Sequence, residues 1–240
     1  MDSEGHPDGW GDDSLTDFFD RARANSFAAF ANLEVQTGQL IELDGLLVRA
    51  MALLVREPDP VPVALFIRCH SAWRAGCQLV MSALLPEFYA VSRVALEYAL
   101  YGYDLKQHPE LQEPWLRRHD NDAARRRVAA AFRPKRLLEE VSTADSVTGK
   151  VAKILYDGCI DYGAHPNDRA VTSNSALQRL DEGFELTVNY LGTDGPALRS
   201  ALRVAAQVAV VSLDLMRLAE PSVLDDVDLY AHVDRIRRAG

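Results

Sequence analysis

Apolar residues recur at helical spacing almost from the start of the chain. Phe18, Phe19, Ala22, Phe27, Phe30, Leu33, Leu40, Leu43, Leu46, Leu47, Met51 and Leu54 return every three or four positions, the period of a helix with one buried face. No proline interrupts residues 13–56. Asp13 or Ser14 can cap the start, and Asp17 suits the positive end of the helix dipole. Gly38 and Gly45 mark the places where this long run is expected to break. "REPDPVP" then ends it, because three prolines in five residues cannot continue a helix.

Residues 61–85 are apolar nearly all round, the pattern of a central helix. Pro86 marks a kink or the first turn of the next helix, which runs to about residue 107. Further helices are expected near 121–132, 134–143 and 147–162. The period then changes. "FELTVNYL" sets Phe184, Leu186, Val188 and Tyr190 against Glu185, Thr187 and Asn189, an alternation that suits a strand. "DEG" would turn it into a hairpin with "ALQRL", and a helix through 176–191 stays open as the alternative. Pro196 opens a long apolar helix to about residue 218, and Pro221–Ser222 starts a short charged one. No repeat and no linker rich in Pro, Gly or Ser divides the chain. The pattern predicts one all-α domain over residues 13–240 behind a disordered lead-in, 1–12. It is a helical bundle of about 7–9 helices with one small β-hairpin near 176–191.

Composition narrows the function classes. Hydrophobic content of 48% and charged content of 25% over 240 residues are those of a globular protein. A formal charge of −9 argues against a general nucleic-acid coat and leaves room for a local basic patch. That patch is 117–136, with eight Arg or Lys against Asp120 and Asp122. It could take RNA or an acidic protein partner, or pair with acidic stretches of the chain itself. Only four of the 26 basic residues are Lys, which with abundant Ala, Asp and Val suggests a GC-rich bacterial source. Three scattered cysteines without a CxxC pair exclude a disulfide framework and a zinc ribbon. The acidic start lacks the features of a signal peptide. "VAAQVAVVSLDLMRLA" falls short of a membrane span, being interrupted by Gln207, Ser212 and Asp214. A cytoplasmic protein without membrane partners is expected.

Candidate chemistry gathers in a few places. In "LYDGCIDYGAH", Asp157, Asp161 and His165 are four apart and share one face of a continuous helix. They are the alternative to an expectation of no metal or other cofactor, because Gly158 and Gly163 weaken that helix and no second such motif exists. The plainer reading makes Gly163 a left-handed helix terminator followed by Pro166. Arg93 and Glu97 form an i,i+4 pair among apolar neighbours, and Asp161, His165 or Arg74 could complete a buried polar knot. "RCHSAWRAGC" reads as a helix–helix contact, although Trp73 beside Arg74 could stack a planar ligand. GxSxG, GxxxxGK[ST], HExxH and GxGxxG are all absent.

"SRVALEYALYGYDL" and "LYDGCIDYGAHPND" resemble a group of bacterial helical proteins in which an Arg-x-x-x-Glu helix precedes a helix ending in a histidine motif. Such proteins are similar to the HEPN superfamily, helical bundles of toxin–antitoxin and phage-defence systems, several of them metal-independent ribonucleases. The resemblance covers roughly residues 60–220. It implies a bundle, but active members carry Arg with four to six residues between it and His, and here Gly158, Cys159 and Ile160 stand at those positions. The expectation is therefore a non-catalytic or ligand-binding HEPN-like module in a stress or defence context, open to forming a homodimer. Arg74, Arg93, Glu97, Asp161, His165 and Asn167 are its candidate ligand residues. Two alternatives stand beside it. One is a phosphodiester hydrolase with His165 as acid or base, Arg93 stabilising developing charge and Glu97 beside them. The other is a structural protein-interaction module.

Overall fold

The computed structural model describes residues 6–172, 175–180, 183–189, 191–192, 195–221 and 227–239. Helix α1 (Ser14–Asn32) starts at Asp13, whose carboxylate accepts from the backbone N–H groups of Leu15 and Thr16. Helix α2 (Glu34–Leu54) follows after a single residue, Leu33, which leaves helical geometry at φ −123° and is only 2% exposed. The break thus falls at Leu33, not at Gly38 or Gly45, both of which lie inside α2 with open space beside them. Burial of the Leu33 side chain at the corner outweighs the weaker helix propensity of the glycines. Residues 6–12 contain turns and lie back on α1, with Trp10 Nε1 donating to Asp20 at 2.9 Å.

Prolines open the longest helices, since a missing N–H costs nothing in the first turn. Helix α3 (Pro60–Met81) and helix α4 (Leu85–Gln107) form the central pair. Between them Ala83 sits at φ 61°, a left-handed conformation that costs a residue with a Cβ about 1 kcal/mol. Leu84 N–H bonds back to Leu79 O and Ala83 N–H to Val80 O, closing the end of α3. The close approach of α3 and α4 needs Gly102, because a Cβ there would lie 2.8 Å from the ring of Phe66.

A 3-10 turn (Pro109–Leu111) and α5 (Gln112–Leu116) lead to α6 (Asp122–Ala131), α7 (Pro134–Ala144) and α8 (Ser146–Cys159). Asp145 caps α8 by accepting from Val147 and Thr148. The chain then widens into a π-helical turn, Ile160–Ala164, and leaves it at His165 in extended geometry. Gly163 is therefore not a left-handed terminator. Its role is proximity: a Cβ there would lie 2.0 Å from Pro86 O, so this turn rests directly on the backbone of α4.

Helix α9 (Asp168–Thr172) precedes an antiparallel hairpin of β1 (Ser175–Leu180) and β2 (Gly183–Val188), paired from Ser175↔Val188 to Leu180↔Gly183. The alternation in "FELTVNYL" does encode a strand, but Phe184 and Leu186 are 68% and 62% exposed, so its apolar face is not buried. Tyr190 and the "DE" of the turn lie outside the described residues. Helix α10 (Pro196–Ala219) crosses α3, α4 and α2. Trp73 donates its indole N–H to Ala205 O at 2.8 Å, and the Cys69 thiol contacts Ser212 Oγ at 3.3 Å. Helix α11 (Val227–Ala239) docks through Tyr230, Val233 and Ile236, while the expected helix start at Ser222 lies outside the described residues. Buried residues from α1 to α11 form one cluster. The architecture is an all-α bundle with one small hairpin, and no helix of the described residues is long and apolar enough to cross a membrane.

Two expectations follow. Burial between α10 and α11 pushes the Asp214 carboxyl up to about 6, with Arg237 opposing the shift. The folded carboxyl then holds its proton to higher pH than the unfolded one. Stability is highest below the unfolded value and falls as pH rises to about 6, by roughly 3 kcal/mol. The difference between wild type and Asp214→Asn, followed by denaturant unfolding across pH 3.5–7, should show that fall; a flat difference contradicts it. At the π turn, Gly163→Ala should destabilise by about 1–3 kcal/mol through overpacking. Gly158→Ala, with nothing within 4 Å of its Cβ, should be neutral or stabilise by up to about 1 kcal/mol. Urea titration distinguishes the two.

Candidate functional site

Arg93, Glu97, Tyr101, Asp104 and His108 lie three or four residues apart and so form one stripe along α4. The stripe faces α8 at one end and α7 at the other. At the α8 end, Arg93 Nε donates to Glu97 Oε1 at 3.0 Å and to Tyr156 OH at 3.2 Å. The Tyr156 hydroxyl donates in turn to Glu97 Oε1 at 2.8 Å, and the guanidinium stands over the Tyr156 ring, 5.3 Å from its centroid. Burial, assisted by the Glu97 hydrogen bond, pushes the Tyr156 phenol up to about 12. Arg93 Nε, Glu97 Oε1 and the Tyr156 hydroxyl thus form a mutually bonded triad.

At the α7 end, Asp104 is 1% exposed and Arg136 NH2 donates to its Oδ2 at 2.6 Å. Arg136 NH1 donates to Glu140 Oε2 at 3.0 Å, and its Nε bonds to Ala131 O. His108 Nε2 lies 2.5 Å from Glu140 Oε1. Burial raises the Asp104 carboxyl against the opposing pull of Arg136, and the hydrogen bond to Glu140 raises the His108 imidazole. Sequence reasoning placed Arg136 at the end of the basic segment and nominated none of these four residues for a site. The available signal was a pair of i,i+4 polar couples, Asp104–His108 at the end of α4 and Arg136–Glu140 in α7, each beside buried leucines such as Leu105 and Leu137.

The residues nominated from sequence are distributed over three places. Arg74 forms a bidentate pair with Asp44, at 2.7 and 2.8 Å, and His70 Nε2 joins the same carboxylate at 2.8 Å. This group borders a cavity of about 300 Å³ beside Trp73, Cys77 and Phe30. Arg93 and Glu97 belong to the Tyr156 triad. The third place is the turn after α8: Asp161 pairs with Arg169 at 2.9 Å, and Asn167 caps α9 by accepting from Ala170 N while donating to Ile160 O. His165 is exposed there and makes no hydrogen bond to Arg93 or Glu97. A single central knot of Arg74, Arg93, Glu97, Asp161 and His165 is therefore not formed. The α3 face carries Arg74 towards α2, and the π turn ends before His165. Asp157 pairs with Lys153, and Asp157, Asp161 and His165 do not bring three ligand atoms together. The basic segment pairs with its own neighbourhood: Arg117 with Glu113 and Asp120, Arg125 with Asp122, and Lys135 with Glu139.

A cavity of about 720 Å³ lies where the start of α4, the end of α8, the start of α10 and the return from β2 meet. Tyr89 and Tyr162 stand side by side in its wall, ring centroids 5.3 Å apart. Ala83 lines it in its left-handed conformation, held by Gly192 N–H donating to Ala83 O at 2.9 Å. Ser200, Gln207 and Asn189 supply polar atoms, and among the described residues no Asp, Glu, Lys, Arg or His lines it. Burial pushes the Cys159 thiol and the Tyr89 phenol each up to about 12. Sequence reasoning reached this place only through "CIDYGAHPND", because the other walls come from segments distant in the chain.

Comparison with protein-family models, with curated proteins and with solved structures gives no match to this chain.

Arg136→Met should strand the buried Asp104 carboxylate and destabilise the fold by about 3 kcal/mol, the low end for breaking a buried pair. Asp104→Asn added to it should restore part of the loss. Denaturant unfolding of the single and double variants measures this, and strict additivity would contradict the coupling.

Proposed function

We propose that the protein is a non-catalytic binding module whose ligand is an uncharged, largely apolar, ring-bearing small molecule seated between α4, α8 and α10. The observation that supports this reading is the lining of the 720 Å³ cavity, which among the described residues carries no charged side chain. Its volume falls in the range of about 300–1,000 Å³ used for small ligands. An ionised ligand would enter it unpaired and lose its hydration, whereas a neutral one loses little. The Tyr89–Tyr162 pair offers aromatic surface, and Ser200, Gln207 and Asn189 fix orientation through hydrogen bonds. Cys159 and Tyr89 keep their protons at neutral pH, so the cavity holds no ready nucleophile or base. The HEPN resemblance supports the same reading, since it carries the bundle without the Arg–His pair; a bacterial stress or defence setting is the context it suggests. A hydrolase would need Arg93 and His165 at one centre, and Arg93 Nε is turned to Glu97 and Tyr156 while His165 lies exposed beyond the π turn.

A second reading, association with another copy of the chain, is supported by large apolar side chains on α1 and α2. Phe27, Phe30, Val35 and Ile41 are 67%, 59%, 71% and 61% exposed, a patch of the kind that marks protein contacts.

Native mass spectrometry of the purified chain, with extraction of bound small molecules, tests both readings. A neutral molecule bound once per chain, or saturable binding of Nile red to the empty chain, is expected. Ser200→Trp should weaken either by more than about tenfold with the melting temperature unchanged, as occlusion of a preformed pocket does. Absence of both, or binding indifferent to Ser200→Trp, overturns the ligand reading. Masses of one copy only, at micromolar concentration, reject the second.

A further inference from the structure

We propose that the α7 end of the α4 stripe is a binding site for one divalent first-row cation of the zinc class, with Asp104, His108 and Glu140 as its protein ligands. The site is separate from the ligand cavity, since none of these residues lines it.

One donor atom from each of Asp104, His108 and Glu140 lies within 4.8 Å of the other two. Donors at about 2.1 Å from a tetrahedral zinc stand roughly 3.4 Å apart, so small side-chain adjustments close the set. The stronger observation is Asp104 itself. Its Oδ2 is taken by Arg136, but its Oδ1 is fully buried and has no hydrogen-bond partner. A buried acceptor without a donor costs about 1–3 kcal/mol, and more when charged. A cation at this position satisfies it.

The other bonds arrange the same site. Arg136 holds the outer oxygens, Asp104 Oδ2 and Glu140 Oε2. Asp104 Oδ1 is left without a partner, Glu140 Oε1 and His108 Nε2 are engaged only with each other, and Arg136 fixes both carboxylates from outside as metal-ligating groups commonly are. Glu110 lies 3.4 Å from His108 Nδ1, where a carboxylate orients a ligating imidazole through its second nitrogen. Asp104 and Glu140 supply two negative charges against the one positive charge of Arg136, and Glu110 adds a third at the rim, so a dication does not overload the cluster. An imidazole donor with two carboxylates suits zinc, manganese or iron(II) better than magnesium or calcium, which prefer oxygen alone. Access is open, because His108 and Glu140 are about one-third exposed while Asp104 closes the floor.

The test uses the full chain, stripped with chelator and titrated with Zn²⁺ by calorimetry. One equivalent should bind, and metal should raise the melting temperature. His108→Gln and Glu140→Gln should each weaken binding by more than about 100-fold, beyond the loss typical of an outer-shell partner. Asp157→Asn with Asp161→Asn should leave binding unchanged. Circular dichroism in the absence of metal shows whether each variant folds. If neither ligand variant folds, a zinc-soaked crystal of the wild type decides the matter through an anomalous peak between the three side chains. No uptake, unchanged affinity in a folded His108→Gln or Glu140→Gln chain, or a crystal without that peak overturns the proposal.

Discussion

Helix α4 is enclosed by α3, α10, α8 and the π turn, and the rest of the structure depends on how closely those neighbours approach it. Close approach requires that side chains be absent at chosen points. Gly102 leaves room for Phe66 of α3, and Gly163 lets the π turn rest on Pro86. Interiors packed to crystal-like density tolerate almost no extra volume, so these two positions set the distances at which α4 meets its partners. The same closeness accounts for the polar stripe. A helix enclosed in this way must pair whatever polar groups it carries, and α8 supplies Tyr156 while α7 supplies Arg136 and Glu140.

The two ends of that stripe meet the requirement differently. Around Arg93 the groups bond one another: Glu97 receives from both neighbours, and Tyr156 stays protonated to donate. Around Asp104 the account does not close, because one buried carboxylate oxygen lacks a donor. A closed network serves packing register, whereas an open one leaves chemistry for a ligand. The cavity beside α8 is a third case, its described polar groups few, neutral and spread around an apolar wall. Charge thus separates the regions of the molecule, and each is suited to a different kind of partner.

Much of the fold was legible along the chain because its signals are local. Prolines at 86, 134 and 196 announce helix starts through their missing N–H, and Asp13 caps its helix through a side-chain acceptor. The strand in "FELTVNYL" follows from alternation alone. What misled was the use of a residue type with more than one function. Gly38 and Gly45 read as breaks, and Gly163 as a left-handed stop, because glycine's flexibility is visible in sequence while its lack of bulk matters only beside a neighbour. The site residues divide in the same way. Arg93–Glu97 was found since both partners lie on one helix. Asp104, His108, Arg136 and Glu140 were missed, since their meaning arises only when α4 and α7 meet.

By itself the sequence determined the helical periodicity, most helix starts, the alternation that suits a strand at 184–188 and the absence of any familiar catalytic signature. These depend on backbone dihedral preference, hydrogen-bonding donors and side-chain spacing within a few residues. Tertiary structure alone decided that Arg74 would face Asp44 on α2, that His165 would lie exposed past a π turn, and that Tyr89 and Tyr162 would share a cavity wall. It also decided that one oxygen of Asp104 would be buried without a partner. Each of these is a distance between residues far apart in the chain, and only the packing of whole helices sets such distances.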